Sequence, residues 1–133
     1  MKTLVLATVL ALVAAAPAAA TTKTLHLTEK QTFQRYVDNG TKGESAGDIR
    51  TFGGPLFIGG KRVGHDRIRC VVGSTCNATL WLTGGTLVAA HAVVRPPRFS
   101  AAITGGTGRY AGARGTANIV LGKISRYTIE LTR

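Results

Sequence analysis

Acidic residues are scarce in this chain. Six Asp and Glu stand against 17 Lys and Arg in 133 residues, a formal net charge of +11 at pH 7, and no acid falls between Asp66 and Glu130. Such a field attracts polyanions, whether nucleic acid, anionic glycans or anionic lipid headgroups. Cysteine is limited to Cys70 and Cys76, with no histidine at zinc spacing, which argues against a metal site. Helical periodicity is nearly absent beyond residue 20: the apolar residues alternate instead of recurring every three or four positions, which excludes a helical architecture. No Gly-Lys-Ser or Gly-Lys-Thr occurs, so a P-loop is excluded. The basic residues are scattered, not blocked. The densest run, Lys61-Arg62-x-x-His65-x-Arg67-x-Arg69, sets its odd positions on one strand face and reads as a solvated face ahead of an anion-binding site.

What is present begins with an address. Lys2 supplies a positive charge, Thr3 to Ala16 is almost unbroken apolar sequence, and Pro17-Ala18-Ala19-Ala20 offers an A-x-A cleavage site. That order is a secretory signal peptide over residues 1–20, and the run is too short for a membrane span of about 20 residues. Residues 21–133 are then a single exported domain, for which nucleic acid is a poor partner. In an oxidising compartment Cys70 and Cys76 can pair. Gly73-Ser74 can turn the chain between them and set the two opposite each other, with free thiols as the other reading.

The remaining sequence reads as strands. Runs near 23–28, 32–37, 46–52, 61–72, 76–83, 86–94, 98–104 and 113–121 make eight, with 124–132 a possible ninth. Tyr127, Ile129 and Leu131 alternate with Arg126, Thr128 and Glu130, so one side faces a core. Gly84-Gly85 marks a tight hairpin, and Pro96-Pro97 ends a strand. Short strands at this spacing mean a sandwich or a closed barrel. Leu87 to Val94 is apolar on both faces apart from His91, which predicts burial of one face between copies and hence a homo-oligomer.

Residues 104–116, TGGTGRYAGARGT, carry five glycines and suggest a phosphate loop. The spacing rejects it: alanine stands at the third position of Gly106-x-Gly108-x-x-Ala111, and no helix pattern follows. The stretch reads instead as a turn at Gly105-Gly106-Thr107-Gly108 between two strands, with Ala111, Gly112, Ala113 and Gly115 small enough for close strand packing. Ala102 to Gly115 resembles the GGTG…ARG signature of plant dirigent proteins and related allene-oxide-cyclase-like barrels. The blocks Gly47-Asp48, Gly54-Pro55-Leu56-Phe57 and Gly59 to Asp66 are similar to the first half of exported bacterial members of that superfamily. The resemblance covers roughly residues 24–121. It implies an eight-stranded antiparallel β-barrel, trimeric or dimeric, with a central cavity for a small apolar or aromatic ligand and no cofactor. It also implies paired aspartates and an arginine at one barrel end. Asp48 fits one position, but Arg95-Pro-Pro-Arg98-Phe99-Ser100 has no acid where a second is expected, so Asp66 would substitute from another strand. The glutamate that the plant cyclases place deep in the barrel has no evident match.

A carboxylate inside an apolar barrel has a raised pKa and can act as acid or base. Asp48 and Asp66 are therefore the catalytic candidates, with a turn or cap role the alternative for Asp48. Trp81, His91, Arg114 and Tyr127 are candidate ligand contacts, with core packing the alternative for Trp81 and Tyr127 and a satisfied buried histidine for His91. Arg114 can pair either with an anionic ligand group or with Asp48. Two functions follow: a barrel that binds a small molecule without turnover, or an isomerase or cyclase that moulds its substrate and moves a proton. Adhesion to an anionic cell-wall polymer is a third.

Overall fold

The computed structural model describes residues 21–132; the side chains of His91, Val93 and Val94 and the expected signal segment at 1–20 lie outside the described residues. Ten strands follow in order: β1 (Thr22–Glu29), β2 (Phe33–Val37), β3 (Ile49–Gly53), β4 (Pro55–Ile58), β5 (Lys61–Val71), β6 (Cys76–Leu82), β7 (Gly85–Arg95), β8 (Arg98–Gly106), β9 (Arg114–Val120) and β10 (Ser125–Thr132). All pairings are antiparallel. The expected strand at 46–52 is β3, which starts later, at Ile49, and is followed after a break at Gly54 by β4, a short strand that the sequence reading did not include. A β-carbon at Gly54 would lie 2.0 Å from the Lys30 carbonyl oxygen, so only glycine lets this break nest against the bend after β1.

That pair of breaks explains how ten strands make an eight-membered barrel. β1 runs on into β2 and β3 into β4; β2 pairs with β3 while β1 pairs with β4. β5 accepts both β3 and β4 along its length. From there each strand pairs with the next through to β10, and β10 returns to β1 over Thr22–Glu29. The result is a closed eight-stranded antiparallel barrel. Closure leaves few edges exposed; β2 pairs with β3 alone.

Alternation puts the core inside. On β10, Ser125, Tyr127, Ile129 and Leu131 are buried while Arg126, Glu130 and Thr132 face out. Leu27, Leu56, Leu80, Leu87 and Ile103 fill the interior from other strands, each contributing about 1.5–3 kcal/mol by leaving water. Only about 20 Å³ of space remains in the centre, room for about one water and far below the roughly 300–1,000 Å³ of a small-molecule site. The roomy centre implied by the resemblance is therefore packed with side chains.

The glycine-rich stretch also shifts. β8 runs on through Gly106, and the turn is a 3-10 segment at Gly108–Tyr110 whose Tyr110 is buried at that end of the barrel. The predicted turn came too early because Gly105 and Gly106 can stay extended inside a strand.

Cys70 and Cys76 face each other across β5 and β6 and form a disulfide, with Cα atoms 4.0 Å apart. The enclosed loop is short, so replacing both cysteines by serine is expected to cost about 2–2.5 kcal/mol. Urea midpoints of the oxidised wild type and the double variant read this directly; equal midpoints would assign the bond no stabilising role.

Candidate functional site

The barrel has two unlike ends. One is occupied by Tyr110. At the other, where β3, β6 and β8 begin and β5 and β9 end, a cavity of about 440 Å³ opens. Its wall is apolar on one side, with Phe52, Val71, Val72, Phe99 and Leu121, and polar on the other, with Gln31, Gln34, Glu44 and Arg50. Cys76 and Phe99 line both this mouth and the small central space, so the disulfide and the Phe99 ring form the neck between them.

Beneath the mouth lies a buried acid cluster. Lumen-facing residues on β5 descend from Cys70 through Ile68 to Asp66, two strand steps of about 6.6 Å each. Asp66 is 5% exposed. The Tyr127 hydroxyl donates to its Oδ2 at 2.5 Å, and the Gly54 amide donates to its Oδ1 at 3.0 Å. Glu29, at the end of β1 and opposite Ser125, is only 2% exposed. Its Oε1 has no hydrogen-bond partner among the described residues.

Burial is the main force on all three groups. It pushes the Glu29 carboxyl up to about 7, helped by the negative charge of Asp66 and opposed by a hydrogen bond from Ser125. Burial also raises Asp66, against the lowering effect of the Tyr127 and Gly54 hydrogen bonds. The Tyr127 phenol is pushed well above its ordinary value by burial and then by Asp66. A carboxyl that exchanges its proton near neutrality, beside a second carboxylate and a phenol, has the makeup of a general acid or base.

Asp48 has a different role. It sits at the end of the 38–48 loop and accepts hydrogen bonds from the Tyr36 hydroxyl (2.5 Å), the Asn39 amide (2.8 Å) and the Ser45 amide (2.6 Å). These bonds, Tyr36 first, lower its pKa, and Tyr36 in turn is pushed up to about 12 by the bond to Asp48. Every oxygen of Asp48 is thus committed to holding the loop, which is the turn role named as its alternative. Asp38 is likewise a turn residue, accepting from the Gly43 amide at 2.9 Å.

The other candidates scatter. The Tyr127 ring lines the small central space. Trp81 is 36% exposed on the outer wall and stacks on His65 at 4.9 Å between centroids, so it does not line the interior. The reason is parity: Trp81 alternates with Leu80, which takes the inward position. Arg114 begins β9 beside Thr132, at the Tyr110 end, whereas Asp48 adjoins β3 at the mouth; the two cannot pair. The backbone of His91 lies in β7, and its side chain is outside the described residues. Glu29 corrects the expectation that no deep glutamate exists. The alternation of Leu25, Leu27 and Glu29 on one face of β1 was the signal that could have found it.

No protein-family model matches the chain, and no curated protein matches it significantly. Among solved structures it is similar to a pyocyanin demethylase, with a TM-score of 0.73 and 28% identity over 82% of this chain and 99% of that one. It is also similar to a pterocarpan synthase dirigent protein, with a TM-score of 0.67 and 19% identity over 90% of this chain and 88% of that one, a likeness of fold. The strand order, the closure of β10 on β1 and these two likenesses agree: the chain has a dirigent-like eight-stranded antiparallel barrel fold.

Proposed function

We propose that this barrel binds a small aromatic or largely apolar molecule at its open mouth. The observation that carries the reading is the cavity of about 440 Å³, within the roughly 300–1,000 Å³ typical of small-molecule sites. Its one-sided apolar wall suits a flat hydrophobic body, and its polar side suits one or two oriented hydrogen bonds. Both similar structures are named for small molecules, pyocyanin and pterocarpan, which supports a ligand of that size here. Filling the mouth tests it. Val72→Trp places an indole in the cavity, and calorimetric titration with two- and three-ring aromatic compounds is expected to show affinity reduced tenfold or more, with an unchanged melting temperature. Unaltered affinity would move the ligand elsewhere.

A second reading is proton transfer on the bound molecule, as an isomerase or cyclase that needs no cofactor. It is favoured by the Glu29, Asp66 and Tyr127 cluster deeper in the barrel, of which Tyr127 lines the small central space. In it Asp66, polarised by Tyr127, and Glu29 exchange one proton with the ligand, and Asp48 takes no part. Residues 1–20 remain a proposed signal peptide and 21–133 one exported domain, supported by the disulfide. A trimer or dimer is supported by Val88, which stands 37% exposed on the outer wall of β7.

A further inference from the structure

Among the described residues one cation, Arg50, lines the mouth cavity, and its setting says what kind of ligand it would hold. Arg50 lies on β3 facing the cavity, with Tyr36 opposite it on β2 and Cys70 opposite it on β5. Its guanidinium sits over the Tyr36 ring, 5.5 Å from the centroid. That ring is fixed by the hydroxyl's bond to Asp48, so the platform is rigid. The guanidinium is also ion-paired with Glu44, which comes from the 38–48 loop. Glu44 is the more exposed partner, with a side chain 59% accessible against 42% for Arg50.

From this arrangement, and resting on the mouth reading above, we infer that the bound molecule is an anionic aromatic compound and that Arg50 anchors its carboxylate or equivalent oxyanion. Arginine has five N–H donors in a planar fork, and Glu44 accepts from one terminal nitrogen, Nη2. The rest of the fork remains for a ligand oxyanion, which a guanidinium holds bidentately. Glu44 does not make the site a cation receptor. Its carboxylate is swung from an exposed loop and already satisfied by Arg50, whereas Arg50 is positioned by a strand and a fixed ring. The field of a chain with net charge +11 also concentrates anions and repels cations. Glu44 instead acts as an internal stand-in for the ligand's anionic group, displaced when the ligand arrives. Phe52, two residues along the same strand face, and Phe99 across the mouth supply the apolar surface for the rest of the molecule.

The test compares 2-naphthoate with its neutral isostere 2-naphthamide by calorimetric titration at pH 7.5 and low salt. Wild-type protein is expected to prefer the acid by about tenfold or more. Arg50→Gln should lower affinity for the acid to that for the amide and leave the amide unchanged. Glu44→Gln removes the internal competitor and should tighten the acid a few-fold, which gives an independent readout if Arg50→Gln lowers the melting temperature. Equal binding of acid and amide in wild type, or an acid affinity unaffected by Arg50→Gln, overturns the anionic requirement and leaves the mouth reading standing. If neither compound binds while another neutral aromatic is held and is lost in Val72→Trp, the same conclusion holds. If no aromatic compound binds at all, both readings fall.

Discussion

Replacing Glu29 by glutamine should make the protein markedly more stable at pH 8 and leave it nearly unchanged at pH 4.5. The folded state raises this carboxyl from 4.5 to about 7, so between those values the native protein keeps a proton that the unfolded chain releases. A raised acid pKa contributes stability that is complete below the unfolded value and is lost as pH rises through the folded one. The slope is negative between about 4.5 and 7 and levels off above. A shift of this size corresponds to about 3 kcal/mol. Asp66 is raised as well, also by burial, and adds to the slope in the same direction. Urea midpoints measured from pH 4.5 to 8.5 check this: wild type should weaken with rising pH, and Glu29→Gln should flatten most of the decline. A wild type that strengthens steadily over that range, or a variant with the same slope, would remove Glu29 from the account. The same variant addresses chemistry, because it should also abolish exchange of a bound ligand's acidic proton with solvent if the cluster moves protons.

Gly115→Ala is expected to be the most damaging single-methyl change in the chain. The residue lies on β9 with φ of +145°, opposite Leu131 of β10. An added β-carbon would stand 1.8 Å from the Glu130 carbonyl oxygen. The obstacle is backbone, so no side-chain rotation relieves it, and the β9–β10 ladder must part. A loss of about 4 kcal/mol or more is expected, at the exceptional end of point substitutions. Gly112→Ala provides the contrast. It too has positive φ, +72°, but nothing lies within 4 Å of its added β-carbon, so only the left-handed backbone cost of about 1–2 kcal/mol applies. Similar midpoints for the two variants would show that backbone conformation and not strand approach explains the run of small residues between Ala111 and Gly115 within this hairpin.

The site was less legible than the fold. Asp66 and Tyr127 were both singled out from the sequence, and the structure joins them by a hydrogen bond. Their link spans 61 positions, and nothing in either local stretch marks it. Glu29 was missed because a glutamate at a strand end usually faces water; it is buried here only because β10 and β4 cover it on both sides. Asp48 was read as a possible acid or base because Gly47-Asp48 matches a block of the superfamily, yet its oxygens are taken up by the loop it closes. Trp81 went to the outer wall by a one-residue parity that the run Ala78 to Thr83 does not settle, since Leu80, Trp81 and Leu82 are all apolar.

Sequence by itself determined the β class, most of the strand positions and the hairpin that sets Cys70 opposite Cys76, because these rest on local rules: alternation with period two, glycine and proline at turns, and cysteines a few residues apart; those rules left sandwich and closed barrel open, and only the resemblance implied the barrel. Tertiary structure alone decided that the centre is filled and the mouth open, and that Glu29 joins Asp66 and Tyr127. It also decided that Arg50 faces the cavity over Tyr36. Each depends on which strands close on which, and at what register. Those long-range pairings set which side chains meet inside the barrel, whereas a sequence pattern fixes only which face of its own strand each one occupies.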